Sequence, residues 1–252
     1  NPRYRDPFQP LLPGATILPW HEHDALRAID RRTAAVVIEP VQAEGGVRVA
    51  DAGFLRALRA RCSEVGALLI FDEVVTGLGR TGTLFAFQQS GVRPDLLVLA
   101  KALGGGLPLG AFLGSRRILS TLTRNPALAH VTTFGGHPLS CAAALAALNE
   151  TVNRNLPARA ARSGAKLLRG LEHLAARHRT IRAVRGVGML LALELASPRA
   201  TRRFAGACLA RGLIVNWTLH RDTVIRLAPP LTLTRAEIAL AIATMDAALG
   251  DV

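Results

Sequence analysis

Apolar residues fall along this chain in two patterns, short unbroken runs and longer stretches with helical spacing. "AAVVIEP" (34–40), "ALLIFDE" (67–73) and "DLLVLA" (95–100) are runs of strand length, the first stopped by Pro40. "DAGFLRALRARCSEVG" (51–66) repeats its apolar residues at helical spacing, with Asp51 placed to cap its start and Gly66 its end. "HDALRAID" (23–30) predicts a short helix, and the proline- and aromatic-rich residues 1–22 predict an irregular approach. Strands without a polar face must be buried on both sides, so apolar strands alternating with helices predict a parallel sheet covered on both faces.

The pattern changes from Pro138 onward. "PLSCAAALAALNETV" and "ARAARSGAKLLRGLEHLAARH" predict two long helices. Then come a strand at "GMLLALEL" (188–195), a helix across "RRFAGACLARG", short strands at "LIVNW" and "VIRLA", and a last helix from Arg235 to Leu249. The fold class is α/β, with a mostly parallel sheet in residues 1–150 and a smaller α+β domain in 151–252. The boundary falls near residues 145–155.

Composition narrows the classes. The chain has 252 residues, half of them hydrophobic, which is globular rather than disordered. No apolar run reaches the length of a membrane span, and no basic-then-apolar leader opens the chain. Cys62, Cys141 and Cys208 have neither pairing nor metal-ligand spacing, which predicts reduced thiols in a cytoplasmic protein and no metal. The net charge of +13 raises the question of nucleic acid. The arginines are scattered through helical segments, however, and Tyr4 is the only tyrosine, so no stacking platform is visible and no nucleic-acid partner is expected. The opening "NPRYRDPFQP" lacks an initiator methionine and an obvious first element, and predicts a chain entered partway through.

Of 31 basic residues only Lys101 and Lys166 are lysines, and Lys101 lies between an apolar run and three glycines in "LLVLAKALGGGLPLGA". An amine can lose its proton and attack a carbonyl, whereas a guanidinium stays protonated. Ligands in open α/β sheets bind beyond the carboxyl ends of the strands. Glu39, Asp72 with Glu73, and Lys101 end the three runs. For Asp72 alone, a helix cap or an ion pair with Arg80 is the plainer reading, and for Lys101 alone a snorkelling or ion-paired lysine. Together they are the two groups that a pyridoxal phosphate enzyme needs, a lysine for the cofactor aldehyde and a carboxylate for the pyridinium nitrogen. "TGLGRTG" (76–82) is a weak phosphate signal, since such loops are more often plain turns. "HVTTFGGHPLS" (130–140) offers Thr132 and Thr133 before a helix start, which suits either a phosphate or a simple helix entry. Arg226, a guanidinium between apolar residues before "APP", suits bidentate carboxylate recognition or a structural ion pair.

"IFDEVVTGLGRTG", then "GVRPDLLVLAKALGGGLPLGA" and "TTFGGHPLSCAAALAAL", resembles the class III, or ω-aminotransferase, branch of fold-type I pyridoxal phosphate enzymes, of ornithine/acetylornithine aminotransferase type. "VIEPVQAEGGV" (37–47) and "VIRLAPPLTLTRAEI" (224–238) match the same family in the expected order. The resemblance covers essentially the whole chain and implies its roles. Lys101 would be the Schiff-base lysine, Asp72 the partner of the ring nitrogen, and Val74 the side chain packing on one ring face. Thr133 would reach the cofactor phosphate of a neighbouring subunit, which implies a homodimer with shared active sites. Glu39 would stand near the cofactor. Arg226 and Glu44 would form a gate, the arginine binding a substrate carboxylate and the glutamate neutralising it when an amine enters.

The implied reaction moves an amino group from an ω-amine or amino acid of ornithine, acetylornithine, lysine or diamine kind to a 2-oxo acid such as 2-oxoglutarate. Val75 departs from the glutamine of some ornithine-type members, Ala43 from the usual glycine, and His137 from a common asparagine. The family's phosphate-binding glycine–serine/threonine loop and second ring-stacking aromatic have no match here, so the chain resembles the C-terminal part of the family and little activity is expected of it alone. Alternatives are an inactive dimerisation module and a same-fold aminomutase or decarboxylase.

Overall fold

Helix α2 (Ala52–Val65) shows how closely local chemistry sets an element in this chain. Asp51 caps it by accepting the Phe54 N–H at 2.8 Å, and Gly66 ends it at φ +83, a left-handed conformation that glycine adopts without a Cβ penalty. Its Phe54, Leu55, Leu58 and Cys62 are buried against the first sheet. The computed structural model describes residues 1–127 and 130–252. Before α2 lie α1 (Pro2–Arg5), a 3-10 turn over Asp6–Phe8 and another over His23–Ala28, so the short helix expected at 23–30 is a tighter turn.

The first sheet runs in the order β1 (Ala35–Ile38), β4 (Leu68–Asp72), β5 (Leu96–Leu99), β6 (Ala111–Gly114). β1, β4 and β5 are parallel, with Ile38 beside Phe71 and Asp72 beside Val98, and β6 closes the edge antiparallel. Val36, Ile38, Leu69, Phe71, Leu97 and Leu99 face the core with α2. The opposite face differs from the expectation of two covered faces. Val37 is 65% exposed there and Phe112 38% exposed. Within this chain, parallel strands with apolar residues on both sides therefore leave one face partly open.

Between β1 and α2 a small hairpin, β2 (Val41–Gln42) and β3 (Arg48–Val49), turns through residues 43–47. After β4 come α3 (Phe87–Ser90), then α4 (Arg116–Leu119) beyond β6, and α5 (Pro138–Asn153). α5 is apolar nearly all round, yet Leu139, Leu145 and Val152 are exposed.

The second sheet is antiparallel, in the order β7 (Ile181–Val187), β8 (Leu190–Leu195), β10 (Val224–Leu227), β9 (Asn216–Trp217). One face packs on α6 (Leu156–Arg177), α7 (Pro198–Ala210) and α8 (Arg235–Leu249). α6 buries Ala160, Gly164, Leu167, Leu171 and Leu174, the spacing of four and three that puts one stripe inward. The other face, with Leu190, Ala192 and Val224, meets Val41, Ala43 and Val47 of the hairpin.

The loop after β4 joins the two sheets. Arg80 donates to the carbonyls of Met189 and Pro229, while its own carbonyl accepts the Met189 N–H at 2.9 Å. Close approach depends on glycines: a Cβ on Gly164 would overlap the Gly188 carbonyl, and one on Gly188 would lie 2.5 Å from the Thr81 carbonyl carbon. "TGLGRTG" is thus a packing loop against α6 and the β7–β8 turn.

Candidate active site

Three acidic and basic side chains leave the carboxyl ends of three adjacent parallel strands. Glu39 follows β1, Asp72 ends β4, and Lys101 stands two residues beyond β5. The backbone of Lys101 is at φ +48, a left-handed conformation that a non-glycine residue holds only under constraint. It opens a 3-10 turn that ends at Gly104, and the lysine is exposed. His21, Val47, Leu78, Asn125 and Asn155 share a positive φ, but Lys101 alone of these carries an amine at a strand end.

Asp72 is half-buried. Its Oδ1 accepts the Val74 N–H at 2.9 Å, and Oδ2 has no protein hydrogen bond among the described residues. Val74 is therefore the backbone anchor of Asp72 as well as a half-buried side chain beside it. The ion pair with Arg80 does not form, because Arg80 is engaged with carbonyls.

Glu39 connects this crevice to a second one. Burial raises its carboxyl above the usual range, Asp72 adds to the rise, and Lys101 opposes it, so all three groups share one electrostatic neighbourhood. Its Oε2 accepts the Ala43 N–H at 3.3 Å, in the hairpin turn. The next residue, Glu44, pairs through Oε1 with Arg226 of β10, and its Oε2 accepts the Leu219 N–H at 2.9 Å. Burial lowers the Arg226 pKa, and the guanidinium stays charged regardless. Arg226 and Glu44 are thus brought together from opposite ends of the chain.

Thr133 stands exposed in the turn that precedes α5. His137 is the N-cap residue of α5 by position, without a side-chain cap bond. Neither is brought to Lys101 or Asp72 by a hydrogen bond among the described residues.

Three residues have roles that the sequence reading did not give them. Glu73 is fully buried and accepts from the Ala86 and Phe87 N–H groups at 2.6 and 2.8 Å and from the Thr76 hydroxyl at 2.9 Å. It thereby closes the loop behind Asp72. Arg80 and Arg185 act on backbone carbonyls far away in sequence, and no local pattern marks them. Among the described residues no group of three His, Cys, Asp or Glu could hold a metal ion, and no helix is long and apolar enough to cross a membrane.

An aldehyde cofactor with a basic ring nitrogen suits Lys101 and Asp72. The amine is exposed, and the carboxylate has a free oxygen in the same neighbourhood. The comparisons agree. Residues 5–249 match the family described as Aminotransferase class-III. The putrescine aminotransferase of Pectobacterium atrosepticum is 47% identical over 248 residues, covering 95% of this chain and 53% of that protein. The ornithine aminotransferase of Toxoplasma gondii, solved with partial occupancy of PLP at its active site, superposes with a TM-score of 0.92 at 33% identity. That match covers 99% of this chain and 58% of the other. The acetylornithine aminotransferase of Elizabethkingia anophelis gives 0.87 at 34% identity, covering 96% and 64%. The chain spans about half the length of the curated relative it matches. Family match, fold and strand-end chemistry together place this chain in the class III aminotransferases, a family of pyridoxal-phosphate-dependent transaminases.

Proposed function

We propose that this chain carries the catalytic lysine and ring-nitrogen carboxylate of an aminotransferase that moves an amino group from a diamine or ω-amino acid to a 2-oxo acid. The observation that carries the reading is the convergence of Lys101, Asp72 and Glu39 at three adjacent strand ends, with Lys101 in a strained backbone. Pyridoxal phosphate, when bound, supplies an aldehyde for the amino group and a ring that accepts carbanion electrons. Nζ of Lys101 would hold the cofactor aldehyde, and as a free amine it would move the proton of the substrate carbon that bears nitrogen, as general base and then as general acid. Asp72 offers Oδ2 to a protonated ring nitrogen. Val74 holds Oδ1 in place and packs beside it. Thr133 serves a phosphate across a homodimer interface, and the exposed Phe134, Leu139 and Leu145 around the start of α5 supply apolar surface for such an interface.

The Glu44–Arg226 pair sorts substrates. With the pair closed the guanidinium is neutralised and an amine enters, and with Glu44 displaced Arg226 takes a carboxylate. The putrescine relative favours a diamine donor, and Val75 in place of a glutamine weakens a close assignment to ornithine-type substrates. We divide the chain into the cofactor-binding part, 1–150, and a smaller domain, 151–252.

An absorbance spectrum of the chain with added pyridoxal phosphate tests the assignment. Wild type is expected to show a band near the visible edge that Lys101→Ala lacks. Turnover by these 252 residues alone is expected to be slight, since Thr133 is the only phosphate-facing residue assigned in them. A band unchanged by Lys101→Ala, or absent from both proteins, would overturn the reading in favour of a dimerisation module, which the open apolar face of α5 also suits.

A further inference from the structure

We infer that Arg185 is a positioning residue that sets how readily the Glu44–Arg226 pair yields to a substrate carboxylate. This rests on the assignment of that pair as the substrate gate.

Arg185 lies on β7 opposite Ala192 of β8, and Ala192 lies opposite Arg226 of β10, so the two guanidiniums rise from the same face of the second sheet. Arg185 reaches from there into the hairpin turn. Its Nε and Nη2 donate to the Gly46 carbonyl at 2.9 and 2.6 Å, and its Nη1 donates to Glu194 Oε2 at 2.6 Å. Arg221 holds the other oxygen of Glu194 more loosely, at 3.5 Å. Gly46 is at φ +102, and a Cβ there would lie 3.0 Å from Arg221 Cδ and 3.2 Å from Arg185 Nη2. The turn is thus pressed against both arginines, two residues from Glu44.

A second hold acts on the other side. The Glu44 carbonyl accepts the His220 N–H at 3.1 Å, and its Oε2 accepts from Leu219. Glu44 therefore rides on a turn fixed at both ends. A carboxylate ligand must displace Glu44 from Arg226, and the work required depends on how firmly the turn presents Glu44 to it. A planar guanidinium spanning the Gly46 carbonyl and the Glu194 carboxylate gives that firmness, and a lysine ammonium cannot span both. None of these Arg185 contacts would touch substrate.

Calorimetric titration of glutarate, a dicarboxylate without the keto group, into the chain with pyridoxal phosphate present tests the inference. Arg226→Met is expected to weaken binding at least about tenfold. Glu44→Gln is expected to tighten it. Arg185→Met is expected to tighten it about fivefold, because Glu44 then competes less well, and to add nothing in an E44Q background. Tightening that persists in E44Q, or weaker binding by Arg185→Met in both backgrounds, would show a purely structural role and sink the inference. Binding untouched by Arg226→Met, or absent from wild type and E44Q alike, would instead overturn the gate assignment itself. Should Arg185→Met not fold, Arg185→Lys carries the same cycle, with a smaller tightening in the wild-type background and none in E44Q.

Discussion

Cys208 is fully buried in the core of the second sheet, and burial raises its thiol pKa to about 11. Cys62 is likewise fully buried, against the first sheet, and its pKa is raised by the same cause. A thiol reacts as the thiolate, so both are doubly protected, by access and by protonation. Alkylation with iodoacetamide at pH 8 is expected to leave Cys62 and Cys208 unmodified in the folded chain and to label all three cysteines in denaturant, as counted by mass spectrometry. Rapid labelling of either buried thiol under native conditions would contradict the packing described. The sequence placed the three cysteines as reduced thiols from spacing alone, but which of them is sealed depends on distant partners. The same contrast separates Lys101, conspicuous as one of two lysines, from Arg185, which bonds a carbonyl 139 residues away and looks like any other arginine of the chain.

Elements were legible where local and global demands agree. α2 and α8 end where their capping residues say they end, and the apolar runs became β1, β4 and β5 within a residue or two. β7 has no counterpart in the apolar pattern. "IRAVRGV" carries two arginines and a glycine, and a bulge between Ile181 and Ala183 breaks its alternation. β6 and the β2–β3 hairpin are two to four residues long, too short to show a period. α5 shows the opposite failure, since its composition reads as buried while its surface is open. The cap of α8 offers a clean test at this scale. Thr234 accepts the Glu237 N–H at 3.2 Å, and Glu237 Oε2 accepts the Thr234 N–H at 2.7 Å. Thr234→Ala is expected to lower unfolding free energy by about 1 kcal/mol in urea titration, with the slope unchanged. No loss would mean the box is formed but carries nothing.

At the scale of the whole molecule, the two sheets are joined by close backbone contact as well as by side chains. Gly188 is at φ +56 with its Cα face against the Arg80–Gly82 backbone, and Gly164 lets α6 approach its carbonyl. Gly164→Ala and Gly188→Ala are each expected to destabilise by roughly 3 kcal/mol or more, since backbone on both sides must move. Gly206 of α7 has nothing within 4 Å of a built Cβ, so Gly206→Ala is expected to be neutral or to stabilise by up to about 1 kcal/mol. Thermal midpoints of the three variants side by side check the contrast, and equal losses at all three would refute the close approach. In the sequence Gly164 sits inside a predicted helix and Gly188 opens a predicted strand; only the meeting of residues 79–82, 164 and 188 gives them their purpose.

The Arg80 clasp has only carbonyl oxygens for partners. Carbonyls do not titrate in water, and such bonds contain no counter-charge for salt to screen. The hairpin side of the junction is different, because Glu44 and Glu194 hold Arg226 and Arg185 there as carboxylates. Salt screens those two ion pairs and leaves the clasp intact. Strong brine therefore weakens the ion pairs at one edge of the seam, beside an apolar hairpin contact that salt does not screen, while the Arg80 edge stays latched.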